Sequence, residues 1–293
     1  VTGRWGAHEE FAELYESSYL GAVYPPSHSG RGPSERQQLV TAIDKELRDR
    51  GAWRILDCAA GTGFPSLDLA AEAGEAYRIR CSDGDRAMLT VFAQRARELS
   101  VPLERVLPRR WPSVPQLDGL DGLHLDWMQL GHIRGQFDYV LCRGNSLAYA
   151  DTWTGARRVA SMTVLGTFLD RMASKIRPGG YLHVDAPWTL DLPTTNHRTL
   201  DGPFGTIWEQ VTALDDCREW WVSFKPVTGG PPVEFKRYSS LLTIDRVQRT
   251  LEWLGFEETT PFQMAGERPN FATIVARKPN KRYVALETVG RHL

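Results

Sequence analysis

From Ala52 onward, short apolar runs alternate with longer amphipathic stretches. "WRILDC", "YRIRCSD", "FDYVLCRG" and "YLHVDAPW" are brief and apolar, as strands covered on both faces are. Between them, "FPSLDLAAEAG", "RAMLTVFAQRARELS" and "GARRVASMTVLGTFLDRMASKI" carry apolar residues at helical spacing, the last closed by "RPGG". A further strand is expected near "ERVLP". Strand–helix alternation of this kind predicts an α/β fold with a parallel sheet wound on both faces.

The flanks read differently. Phe11, Leu14, Tyr15 and Tyr19 give residues 8–20 a helical period. "YPPSHSGRGPSE" follows, too long for a simple connector and suited to a lid. Ser34 then caps an amphipathic helix, "ERQQLVTAIDKELRDRG". After residue 188 the pattern becomes antiparallel strands around a Gly-Gly-Pro-Pro turn, before "IDRVQRTLEWLGF" returns to helix and "FATIVARKP" supplies a last strand. The resulting division is 1–50, N-terminal helices and lid; 51–188, core; 189–242, an antiparallel insertion on the substrate side; 243–279, the end of the core; and 280–293, a tail.

Composition narrows the function classes. The chain has 293 residues, 42% hydrophobic and 24% charged, with net charge -1. That balance predicts no nucleic-acid partner, and Arg109–Arg110 and Arg157–Arg158 read as solvated faces. No apolar run approaches the roughly 20 residues of a membrane span, and the first residues lack a signal-peptide core. The four cysteines, Cys58, Cys81, Cys142 and Cys217, form no C-x-x-C pair, and three adjoin strand-like runs. They read as reduced, buried thiols of a cytoplasmic protein. The seven histidines show no metal-ligand spacing, so no metal is expected.

Chemistry concentrates in "ILDCAAGTGFPSLDLA", a strand, a small-residue turn and a helix. Gly61 and Gly63 permit positive φ and close approach of a ligand. Asp83 lies at the end of the next strand, about 20 residues on, where a carboxylate can accept both ribose hydroxyls. A dinucleotide turn would add a third glycine for the pyrophosphate; here Ser66 stands in that place. Asp57, just before the turn, would repel phosphate and attract an ammonium group. A cationic, phosphate-free adenosyl ligand suits this arrangement.

"LDCAAGTGFPSLDLA" resembles the first motif of class I S-adenosylmethionine-dependent methyltransferases, and "FDYVLCRGNSLAY" resembles the fourth-strand segment of the glycine N-methyltransferase group. "IRPGGYLHVD" resembles the entry to the fifth strand. The resemblance spans 10–188 and 233–278. It implies a Rossmann-like, doubly wound, mostly parallel seven-stranded sheet with an antiparallel insertion, and S-adenosyl-L-methionine as cofactor. Residue by residue it implies Ala59, Gly61 and Gly63 at the methionine part, Asp83 on the ribose, and Asp126 and Trp127 at the adenine. It places the Arg143 backbone and Tyr149 near the sulfonium, with Arg31, or else Arg36, on the cofactor carboxylate. Tyr15, Tyr19 and Tyr24 can close over the sulfonium.

The acceptor side departs from that group, whose fifth strand ends in Asp-His-Arg. Here it ends Asp185, Ala186, Pro187, Trp188, so the carboxylate-clamping arginine is replaced by Pro187 and glycine is not the expected substrate. Trp188, Trp208, Trp220 and Trp221 suggest a larger, more apolar acceptor, with Tyr238 and Asn145 as further substrate contacts. Asp185 is the best-placed base; His183 is assigned to the core. The expected reaction is in-line methyl transfer to a small-molecule amine. The alternatives are a C- or O-methyltransferase of an aromatic or isoprenoid acceptor, with Arg198, Lys236 and Arg237 converging on a diphosphate, and a non-catalytic cofactor-binding subunit. A homo-oligomer is compatible with all three.

Overall fold

The computed structural model describes Ala12, 33–150, 162–189, 195–202, 205–214 and 217–280. The expected helix at 8–20 (apart from Ala12), most of the expected lid and the tail lie outside the described residues. The first complete element, α1 (Glu35–Asp49), begins where expected: Ser34 Oγ accepts the Gln37 N–H at 3.1 Å. Leu39, Val40, Ile43 and Leu47 form its buried stripe. There follow β1 (Arg54–Asp57), α2 (Ser66–Glu72), β2 (Arg78–Cys81) and α3 (Arg86–Glu98), the last capped by Asp85.

Two short helices, α4 (Leu103–Val106) and α5 (Gly119–Leu123), come next. The strand expected near "ERVLP" is thus a helical turn, entered through Pro102, whose fixed φ suits a helix start. The chain continues through β3 (Phe137–Cys142), α6 (Met162–Ala173) and β4 (Ile176–Pro187). β4 takes in the "RPGG" segment expected to close the helix, and the register with β3 shifts between Phe137 and Tyr139 to accommodate it. β5 (Thr195–Gly202), β6 (Gly205–Ala213), β7 (Cys217–Pro226), β8 (Val233–Ser240), α7 (Ile244–Trp253) and β9 (Phe271–Arg277) complete the order.

The main sheet has order β2-β1-β3-β4-β9, parallel except for β9, which runs antiparallel to β4. Among the described residues it has five strands rather than seven. Beyond β2 the edge continues only as a single bridge, Asp83 to His124. Strand residues alternate between two cores. Leu56, Val140 and Val184 pack with Leu165 and Leu169 of α6 and Val247 and Leu251 of α7. Ile55, Tyr139, Leu141 and Val275 pack with Ile43 of α1, Leu67 of α2 and Phe92 of α3. The four cysteines are free and buried.

The insertion forms a separate antiparallel meander, β5-β6-β7-β8. One face carries Ile207, Trp220, Val222 and Phe224, which cluster with Ala12 and with Ala87, Met88 and Val91 of α3. That docking brings the meander against the C-terminal end of β2, where the glycine turn also lies.

Candidate functional site

The turn between β1 and α2 is held from below by acids. Asp57 is 2% exposed; one oxygen accepts the Ala59 N–H at 3.1 Å and the other the Ser66 hydroxyl at 2.6 Å. Burial raises its pKa to about 6, against the opposing bonds from Ser66 and Ala59. Gly61 (φ +51°) gives its N–H to Asp83 Oδ2 at 2.7 Å, and Asp83 Oδ1 accepts the Asp85 N–H at 2.8 Å. Burial pushes Asp83 up to about 7, helped by the neighbouring charges of Asp85 and Asp57 and opposed by the two backbone bonds. Arg95 buttresses the turn, reaching the Thr62 carbonyl at 3.3 Å and Asp68 at 3.0 Å.

Gly63 is required by two constraints at once. Its φ is +104°, and a Cβ there would stand 2.4 Å from Leu67 Cδ1 and 3.1 Å from Phe92 Cδ2. Gly63→Ala therefore combines backbone strain with overpacking. The expected result is a loss of about 2–5 kcal/mol, read as a lower urea midpoint at unchanged slope.

A second turn follows β3. Asp185, 1% exposed at the end of β4, accepts the Gly144 N–H at 3.0 Å and the Asn145 N–H at 2.9 Å. The Arg143 guanidinium lies 3.6 Å from Asp185 and is ion-paired with Glu267, from the loop before β9. Asn145 is left-handed (φ 60°), 5% exposed, and its Oδ1 has no hydrogen-bond partner among the described residues. Tyr149 receives a bond from Arg218 of β7 at 3.3 Å, and Asp85 one from Arg237 of β8 at 3.2 Å, so the insertion is tied to the second turn and to the β2–α3 turn that carries Asp83.

This layout, ligand turns at the C-terminal ends of a parallel sheet with an insertion across them, matches solved structures. A methyltransferase from Clostridium acetobutylicum aligns over 94% of this chain and 100% of its own, with TM-score 0.64 and 14% identity. CcbJ from Streptomyces caelestis aligns over 93% and 97%, with TM-score 0.65 and 12% identity. The fold is that of the S-adenosylmethionine-dependent methyltransferases. No family model matches the chain. A glycine/sarcosine N-methyltransferase of Aphanothece halophytica is 35% identical over 106 residues, 36% of this chain and 32% of that protein. The mouse glycine N-methyltransferase is 29% identical over 144 residues, 47% of this chain and 42% of its own. The matches thus span about a third to under half of the relatives' length.

Within this methyltransferase fold, the expected residues divide into three groups. Ala59, Gly61, Gly63, Asp83 and Asp57 share the first turn, where each Asp57 oxygen already accepts one bond from the turn itself. Arg143, Asn145, Tyr149 and Asp185 share the second. Arg36 stands beside the first turn, 3.4 Å from Asp68 with its guanidinium over the Phe64 ring, while Arg31, Tyr15, Tyr19 and Tyr24 lie outside the described residues.

The remaining expected residues lie outside both turns. Asp126 is exposed beside Gly84 and closes a capping box with Gln129. Trp127 is turned the other way: 5% exposed, its indole N–H bonded to the Cys58 carbonyl and its ring edge-on to Phe168, it belongs to the core and offers an adenine no open face. Trp208 and Tyr238 occupy the meander face turned away from α3. Trp208 packs on Trp221 with centroids 4.6 Å apart, and Tyr238 pairs across from Glu219. Period-2 alternation decides this, because Trp220 and Val222 take the inner face. Trp188 is 36% exposed and bonded to Gln263.

His183 is fully buried and bonded to the Tyr139 hydroxyl at 2.9 Å, and burial holds its pKa well below the usual imidazole range. Two contributors were not expected from the sequence, Arg218 and Glu267, while Arg237, expected on an anionic acceptor, pairs with Asp85. Each lies far from its partner in sequence, and only the β7 alternation would have flagged Arg218.

Proposed function

We propose that the chain is an S-adenosylmethionine-dependent methyltransferase acting on a small-molecule amine. The observation that carries the cofactor is the glycine turn ringed by Asp57 and Asp83. Two buried carboxylates disfavour a phosphate and favour a cationic ligand with ribose hydroxyls to donate. Both Asp83 oxygens already accept one backbone N–H, which aims their remaining lone pairs away from the turn.

When bound, S-adenosylmethionine supplies a methyl group already activated on sulfur. The chain's own residues position and desolvate. Asp83 fixes the ribose, and Gly61 and Gly63 let the backbone approach. Asp185 holds the turn that presents Asn145, whose buried Oδ1 is free to accept an N–H from an acceptor amine. The meander, tied down through Arg218 and Arg237, excludes water.

Nitrogen is favoured because the two nearest bases are committed. Asp185 holds two backbone N–H groups, and His183 is sealed beneath with Tyr139. An amine that arrives unprotonated needs neither, whereas a phenol or carbon nucleophile needs one. The diphosphate alternative loses support, since Lys236 pairs with Glu219 on one face of β8 and Arg237 with Asp85 on the other.

The test is S-adenosylhomocysteine release from S-adenosylmethionine with panels of primary and secondary amines, and of phenols. Turnover with amines supports the proposal. Turnover with phenols alone shifts it to O-methylation. Cofactor binding with no turnover on any acceptor favours the non-catalytic subunit.

A further inference from the structure

At the end of the main sheet opposite the glycine turn, arginines distant in sequence converge. Arg54 and Arg78 open β1 and β2 and are register partners. Arg80 follows on the same face of β2 and donates to the Arg105 carbonyl. The Arg134 N–H bonds the Arg109 carbonyl at 2.7 Å, and Arg54 Nη2 lies against Gly135. Burial, then the charges of Arg109 and Arg78, lower the Arg80 pKa, which places these cations within one field. Trp53 and Trp111, 47% and 45% exposed, stand in the same patch. Arg78 and Arg54 lie 5.0 and 6.0 Å from the Trp53 ring, and Arg134 lies 6.0 Å from Trp111.

None of Arg54, Arg78, Arg80, Arg109 and Arg134 forms an ion pair with a described residue, although most arginines around the ligand turns do. Asp138, the acid at this end, is fully engaged. One oxygen accepts the Trp53 and Arg54 N–H groups and the other takes Arg177. Glu75 and Glu104, exposed on flanking turns, pair with no described cation. Five guanidinium groups without an acid partner among the described residues, on a chain of net charge -1, are a concentrated exception.

We propose that this end of the sheet is a docking surface for an acidic face of another protein. Arginine and exposed tryptophan are the residues that dominate protein interfaces, and arginine forks match carboxylates two bonds at a time. A single-stranded nucleic acid is less well served, because guanidinium groups already lie over the indole rings on which bases would stack.

The probe is a fluorescein-labelled 20-residue poly-L-glutamate, titrated by anisotropy into the full chain. Saturable binding at 50 mM salt should weaken several-fold at 200 mM. It should weaken at least tenfold in Arg109→Gln/Arg134→Gln and stay unchanged in Arg249→Gln, on an exposed helix elsewhere. Thermal melts by circular dichroism establish that the variants are folded. No saturable binding at 50 mM salt, or equal affinity in the double variant, overturns the proposal. Tighter, arginine-dependent binding of a labelled 20-nucleotide oligo-dT overturns it in favour of a nucleic acid.

Discussion

Asp83→Asn should weaken S-adenosylhomocysteine binding at pH 8 by about a hundredfold or more, measured by calorimetry. The carboxylate accepts backbone N–H groups from Gly61 and Asp85 and keeps a lone pair on each oxygen for the ribose diol. A hydrogen bond to a charged group contributes about 1.5–3 kcal/mol and a neutral one about 0.5–1.5 kcal/mol, so losing one and reducing the other to a neutral bond costs about 2.5–4 kcal/mol. The amide also turns an N–H₂ toward one of the two backbone N–H donors. Unchanged affinity in this variant would remove Asp83 from the cofactor site.

The same carboxylate predicts a pH dependence. Asp83 titrates near 7 in the ligand-free protein because it is buried. Ribose hydroxyls donate best to its ionised form, so wild-type affinity should rise as pH increases through 7, with proton release on binding. The Asn variant should lose that slope. Folding responds with the opposite sense. Between pH 4 and 7 the folded protein keeps a proton that the unfolded chain, titrating near 3.8, has lost. Stability from this group therefore falls as pH rises through that window, by about 4 kcal/mol in all. Thermal melts at pH 5 and 8 should show a smaller difference for Asp83→Asn than for wild type.

Asp185→Ala should lower stability by about 2–5 kcal/mol, the cost of leaving two buried N–H groups without their acceptor. It strips the acceptor from two backbone N–H groups and removes one of the two carboxylates facing Arg143. Asp185→Asn, which keeps one acceptor, separates positioning from base catalysis. A positioning residue gives reduced turnover, a raised acceptor KM and an unaltered pH–rate profile. Loss of the acidic limb of that profile, the fall in rate as a carboxylate base takes up its proton, would restore Asp185 as the base.

Local pattern reached far where one segment carries all the information. The Ser34 cap, the α1 stripe and the strand–turn–helix around Gly61 and Gly63 follow from period, capping chemistry and positive φ, each settled within a few residues. It failed at "ERVLP", where an apolar run bounded by Pro102 and Pro108 fits either state and packing chose a helical turn. It failed again for Trp127 and Trp208. The resemblance marked Trp127 and its aromatic ring marked Trp208 as ligand candidates, but one indole N–H found the Cys58 carbonyl and the other ring fell on the outer face of the meander.

What the sequence by itself determined is the doubly wound α/β order and the acid-ringed glycine turn, because hydrophobic period and backbone freedom are local properties. The tertiary structure alone decided that Asp185 is bound to the Asn145 turn, that Arg143 meets Glu267, and that Arg237 reaches Asp85 across 152 residues. It also gathered Arg54, Arg78, Arg80, Arg109 and Arg134, which look like ordinary solvated charges along the chain, onto one surface. Charge partners are chosen by where strands and loops end in space, and no spacing along the chain encodes that distance.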